Sequence, residues 1–300
     1  MAENFFDRNF YNTAALSMEE IFLKSEKSSQ DIKHVFTVLK NFDRMTIAET
    51  KECFMQLMGK YRDTFCVRSI AKGEEFFRAR LGCNKEKGSI GKKSIEVLTP
   101  YFGEQMEIPP TSLAGKGRFN RDGVAFLYLS SNAHTCVSEL KLDVGQLCSV
   151  CRFINNKKYE YLDLTQQGKS LFAELIKVIL LNPVYSENKN YYLFTESLSS
   201  VIRRLGFRGI LYPSTQSTDE NNYNLVCFYP SDFSFVEYSD QLYKVQSVQY
   251  SIEAIKESFR NYEGYEKLLS EESDTEKCRK QSIFTYIKKK ICFEKRLKKN

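Results

Sequence analysis

The stretch GRFNRDGVAFLYLSSNAHTCVSEL, residues 117–140, sets Arg118 ahead of a tight turn and Glu139 on a following helix, with an aromatic-rich strand between them. A guanidinium at one end suits an anion, and a carboxylate at the other suits a cation that develops during reaction. Gly117 lets the backbone approach closely. NRDG at 120–123 reads as a turn, VAFLYL as a strand with Tyr128 near its carboxyl end, and SSN as a capped helix start. The expected helix spans 132–142. Glu139 then has apolar Cys136 and Leu142 at i−3 and i+3, so its carboxylate is expected to face inward, where it needs a partner.

Two other stretches offer chemistry. In EFFRARLG, a strand would put Arg78 and Arg80 on one face and Phe77 and Ala79 on the other. A guanidinium on a rigid strand suits bidentate capture of phosphate, and a pair of edge-strand arginines meeting surface acids is the plainer reading. In GFRGILYPSTQSTDENNYNLVCFYP, residues 206–230, RGILY reads as a strand ended by Pro213 and Ser214, and NLVCF as the returning strand. Ser214 thus faces a polar loop, where ligand-binding groups often sit, or serves as a turn serine.

Several chemistries lack their residues. Only His34 and His134 are available for a histidine-based metal site, and His34 follows KSSQDIK, which lacks the arginine of a HEPN-type nuclease motif. The one CxxC, LCSVC at 147–151, points Cys148 and Cys151 to opposite faces of a strand. No GxxxxGK[ST] or GxGxxG motif is present, and GSIGKK at 88–93 does not follow a convincing strand. The nine cysteines fit reduced thiols in a cytoplasmic protein. No apolar run reaches membrane-spanning length, and MAENFFDRNFYNT has no signal-peptide character.

The net charge of +6 is unevenly spread. Residues 277–300 carry ten Lys/Arg against Glu294, a net +9, which leaves −3 for the other 276 residues. Weak nucleic-acid contact through KKKICFEKRLKKN is therefore one expectation, and a solvated tail is the other. The elements that must position the candidate residues divide the chain in three. Residues 1–71 read as a helical region, with helical spacing in MEEIFLKSEK, DIKHVFTVLKNF and AETKECFMQLMGKY. Residues 72–255 read as an α+β domain, mostly antiparallel, with strands in VAFLYLS, CSVCRFI, YEYLDLT, RGILYPS, NLVCFYP and FSFVEYS and helices near 132–142, 168–180 and 195–205. Residues 256–300 read as a helical, charged tail.

The order F-R-A-R, then G-R-F-N…LYLS…T…E, then RGILYPS…NLV, resembles the RES domain over about residues 72–240. The resemblance implies an ADP-ribosyltransferase-like fold. It carries the family's arginine onto Arg78, its glutamate onto Glu139, its serine onto Ser214, a second arginine onto Arg118 and the strand aromatic onto Tyr128. It implies a bacterial toxin of a toxin–antitoxin pair, serving growth control or phage defence, that cleaves the nicotinamide–ribose bond of NAD by phosphorolysis or hydrolysis. NAD is then the substrate, inorganic phosphate a possible co-substrate, and an antitoxin, regulatory protein or second copy a possible partner, with no metal and no membrane. The same residues would serve transfer of ADP-ribose to a protein or nucleic acid. Two features depart from the pattern: Ala79 stands where an aromatic often follows the arginine, and 34 residues separate Arg80 from Gly115.

Overall fold

The computed structural model describes residues 30–249, apart from 42–43, 91–92, 182–188, 217–218 and 220. The expected helix over MEEIFLKSEK and the basic tail lie outside the described residues. The chain divides into compact units Met1–Val248 and Gln249–Asn300, and the fold below is that of the first.

Helices α1 (Gln30–Asn41) and α2 (Ile47–Lys60) come first. A capping box starts α2: Thr46 Oγ1 accepts from Glu49 N–H, and the Glu49 carboxylate accepts from Thr46 N–H. Strands β1 (Val67–Ile70), β2 (Glu75–Leu81), β3 (Asn84–Ile90), β4 (Lys93–Thr99) and β5 (Leu127–Ser130) follow, then helix α3 (Ala133–Glu139). Next come β6 (Leu147–Asn155), β7 (Tyr159–Asp163), helices α4 (Leu171–Leu181) and α5 (Lys189–Arg204), β8 (Gly209–Pro213), β9 (Tyr223–Cys227), β10 (Phe233–Phe235) and β11 (Gln241–Lys244). The main sheet runs β1-β7-β8-β9-β5-β2-β6-β10, with β11 added to β6. Among the described residues its ladders are antiparallel except β7–β8, so the fold is the mostly antiparallel α+β arrangement expected.

Strand alternation sorts the core. One face gives Phe76, Leu127, Leu129, Cys151, Leu211, Leu225 and Cys227 to a single apolar cluster. The opposite face carries two clusters. Leu162, Ile210 and Val226 pack with α1, α2, α4 and α5, and on the other half Phe77, Ala79, Cys148 and Val150 pack with α3. Between those two halves the register aligns Ser130 with Asn224 and Asn224 with Tyr212. Residues directly opposite in a ladder share a face, so these polar side chains line the strip that neither apolar cluster fills.

Three sequence expectations change in detail. The sheet starts at Val67, ahead of residue 72, because β1 pairs with β7; α1 and α2 pack on the same unit through Val35, Phe54 and Met58. GSIGKK, expected not to follow a strand, begins inside one: Asn84–Ile90 and Lys93–Thr99 pair as a two-stranded ribbon, and the reciprocal amide bonds of Asn84 and Gln105 close its base. The third helix stops at Glu139, not 142, because Lys141 adopts a left-handed φ of 51° that breaks the helical path. Among the described residues no helix is long and apolar enough to cross a membrane.

The β8–β9 ladder that carries the polar strip depends on Gly209. A Cβ there would lie 2.0 Å from Val226 O and 3.0 Å from Tyr161 Cδ1. Gly209→Ala is therefore expected to destabilise the fold by more than about 4 kcal/mol, read as loss of a cooperative thermal transition or a large fall in its midpoint. A melting curve like that of the unsubstituted protein would contradict the close approach.

Candidate active site

Glu139 ends α3, a seven-residue helix. A carboxylate there faces the negative end of the helix dipole, which by itself is unfavourable. Two donors hold it nonetheless. Ser214 Oγ–H and Asn224 Nδ2–H both donate to Glu139 Oε1 at 2.7 Å. Among the described residues no hydrogen bond falls on Oε2. Ser214 is itself fixed: its N–H donates to Asn222 O at 3.0 Å, and its Oγ accepts from Gln216 N–H at 3.2 Å. The other end of α3 is tied to the same loop. Asn132 caps the helix by accepting from Thr135 N–H, and its Nδ2–H donates to Asn222 Oδ1 at 2.7 Å. The segment between β8 and β9 thus clamps both ends of the short helix.

Tyr128 lies one residue pair along the strip and reaches the arginine loop. Its hydroxyl donates to Asn120 Oδ1 at 2.7 Å and accepts from Phe119 N–H at 3.3 Å. Asn120, 5% exposed, gathers the loop by donating to Gly115 O, Arg121 O and Val124 O. Gly117 is required by this packing, since a Cβ would sit 2.4 Å from Asn120 Oδ1 and 2.8 Å from the Tyr128 hydroxyl. Arg118 projects from the loop, and its Nη1 donates to Leu181 O at the end of α4. The loop is tied to α5 where Thr195 and Ser199 hydroxyls donate to Arg118 O and Phe119 O, each at 2.6 Å. Tyr212 joins the two ends. Its ring meets Phe119 edge-on at 5.4 Å. Burial first, then Tyr128, pushes its phenol up; Arg118 pulls it down and Glu139 pushes it up. Arg118 and Glu139 thus both bear electrostatically on the Tyr212 hydroxyl.

Arg78 enters from the strand side. The β2–β5 ladder is a single pair, Phe77 with Ser130. Beyond it Arg78 Nη1 donates to Tyr128 O at 3.1 Å, while its Nε is buried and has no hydrogen-bond partner. Burial, and then Arg80, lower the guanidinium from its ordinary range to about 10. Cys136 and Cys151 are the nearby groups of opposite potential charge, but burial raises both thiols to about 12, so neither neutralises the arginine at neutral pH. Among the described residues the guanidinium is thus a cation without a counter-ion, an arrangement an incoming anion would complete. Arg80 is aimed elsewhere, donating to Gln105 O.

The structure therefore gathers Glu139 and Ser214 directly, joins Tyr128 to the Arg118 loop through Asn120, and joins Arg78 to the same strand through Tyr128 O. His134 is exposed at the helix start, and Cys148 and Cys151 lie in separate clusters. Sequence reading missed Asn120, Asn224, Ser130 and Tyr212. A signal for Asn224 was present, since an asparagine two residues from Val226 on a buried strand needs partners. Its partner Glu139 is 85 residues away, which no local pattern reveals.

The RES-domain family model matches residues 96–252, just over half of the chain. The chain belongs to the RES-domain family. Arg118, Tyr128, Glu139 and Ser214 lie inside the matched segment, and Arg78 lies ahead of it, separated by the β3–β4 ribbon. Among solved structures the chain is similar to one in the crystal structure of the M. tuberculosis MbcT–MbcA toxin–antitoxin complex, with 12% identity, a TM-score of 0.37, and coverage of 67% of this chain and 94% of that one. No curated protein matches the chain.

Burying the Arg78 cation costs stability at every pH where it stays protonated. Because its folded value is lowered to about 10, the penalty is present in full below that pH and is relieved as pH rises through it. Arg78→Met removes the cation, so at neutral pH its melting midpoint is expected to equal or exceed that of the unsubstituted RES protein. Thermal melts at pH 7 check this; a fall of more than about 3 °C, the equivalent of roughly 1 kcal/mol in a chain of this size, would show that the arginine is a structural asset.

Proposed function

We propose that this RES protein is a toxin-type enzyme that degrades NAD by breaking its nicotinamide–ribose bond. The observation that carries the reading is Glu139, whose Oε1 is held by Ser214 and Asn224 and whose Oε2 takes no hydrogen bond among the described residues. RES-domain toxins act on NAD, and the residues around Glu139 have the chemistry that substrate requires.

NAD brings a pyrophosphate and a ribose that becomes oxocarbenium-like as nicotinamide departs. Arg78 lacks a counter-ion, and Arg118 shares Tyr212 with Glu139, so the two guanidiniums supply charge for the pyrophosphate. Tyr128 and Tyr212 bound the space next to Glu139 and offer rings to the base. As the C1′–N bond breaks, its electron pair leaves with nicotinamide and positive charge gathers on the ribose. The Glu139 carboxylate stabilises that charge and accepts a hydrogen bond from a ribose hydroxyl. Because the charge exists only in the transition state, this contact raises rate more than affinity. Ser214 holds the carboxylate in place. The cation is then captured by water, giving ADP-ribose and a proton, or by inorganic phosphate, giving the 1″-phosphate ester. An antitoxin is the partner class proposed for control of this activity.

Purified protein is expected to release nicotinamide from NAD, and Glu139→Gln to lower that rate roughly 10²–10³-fold. Product identification with and without inorganic phosphate separates the two acceptors. Label from NAD on a protein or nucleic acid would instead establish ADP-ribosyl transfer. Wild-type turnover by Glu139→Gln would remove the role given to the carboxylate.

A further inference from the structure

We propose that Asn224, oriented by Ser130, is a positioning residue that sets the Glu139 carboxylate; this rests on the NAD-cleaving role just given. Asn224 and Ser130 are each 3% exposed and stand opposite each other in the β5–β9 ladder. Ser130 Oγ–H donates to Asn224 Oδ1 at 2.7 Å, and Asn224 Nδ2–H donates to Glu139 Oε1 at 2.7 Å. The acceptor-only carboxylate fixes which end of the amide meets it, and Ser130 ties down the opposite end. A flipped amide would press Oδ1 against a carboxylate oxygen and lose that bond, and Ser130 would have to turn its hydroxyl to accept from the NH2 group.

The location gives the pair its function. A buried asparagine in a strand costs stability unless its amide is satisfied, and a valine or leucine would fill the same place without that cost. The next residue on this face, Val226, is part of the apolar core. What the asparagine provides is a rigid donor, anchored in a central strand, for an acid at the frayable end of a seven-residue helix. Ser214, the second donor, stands just past the end of β8, at the start of the connecting segment. The carboxylate is thus gripped once from a strand and once from a loop, with both grips on Oε1 and Oε2 left toward substrate.

Steady-state nicotinamide release is the first readout. Asn224→Ala is expected to lower kcat roughly 10–100-fold, the rate equivalent of one lost hydrogen bond to a charged group, with KM changed by less than about threefold. In a Glu139→Gln background the same substitution is expected to cost less than about threefold, because the residue it positions has already gone. A merely structural asparagine would cost the same in both backgrounds. Ser130→Ala, which removes only the orienting bond, is expected to show a smaller fall with the same dependence on Glu139, and it carries the test if Asn224→Ala does not fold. Crystal structures of wild type and either variant give a readout free of activity: the carboxylate is expected to leave its place. Full kcat in both variants, equal losses in both backgrounds, or an unmoved carboxylate would overturn the proposal. A wild-type protein that leaves NAD intact refutes the NAD reading itself, and the position of the carboxylate then decides this one.

Discussion

A single carboxylate oxygen organises this molecule. Glu139 Oε1 receives a hydroxyl from the end of one strand and an amide from the middle of another. The acid sits at the negative end of a helix, partly sheltered from water, and neither condition favours a charge there. Two charge-assisted hydrogen bonds offset that, each worth about 1.5–3 kcal/mol. The short helix must then be held at a fixed height over the sheet, which the Asn132–Asn222 bond does at its other end. The left-handed turn at Lys141 stops the helix just past the acid.

The sheet supplies the rest of the constraint. One face is divided between two apolar clusters, and the polar strip of Ser130, Asn224 and Tyr212 falls between them. A continuous core would be more stable, so the interruption is a feature that packing alone does not explain. Arg78 follows the same logic. Among the described residues its guanidinium lies buried beside Tyr128 O with an unpartnered Nε, an arrangement that costs stability and would favour an anion there. Arg118 is held differently, on a loop fixed by Asn120 and tied to α4 and α5. Polar groups from strand, loop and helix thus surround one stretch of β5, where Tyr128 meets Arg78 and the Asn120 loop.

Sequence reading reached the strands because their β-rich runs are separated by turn residues, and it nominated the candidate site residues through their order along the chain. It misplaced the end of α3 because nothing in SELKL marks a stop: the terminating residue is a lysine in a backbone conformation usually reserved for glycine. It found no convincing strand ahead of residues 88–93 because Gly88 and the lysines dilute the strand pattern, whereas backbone pairing of Asn84–Ile90 with Lys93–Thr99 forms the ribbon regardless. The roles of Asn224 and Asn120 were missed for a different reason. Their importance lies in partners far apart in sequence or in backbone carbonyls, and side-chain type alone does not announce either.

The most direct measurement is a crystal structure of the Glu139→Gln protein with NAD bound. The expected result places the pyrophosphate against Arg78 and Arg118 and the nicotinamide ribose within hydrogen-bonding distance of residue 139, with the base beside Tyr128 or Tyr212. A dinucleotide seated elsewhere, or a pyrophosphate remote from both arginines, would contradict the convergence on which the chemistry depends.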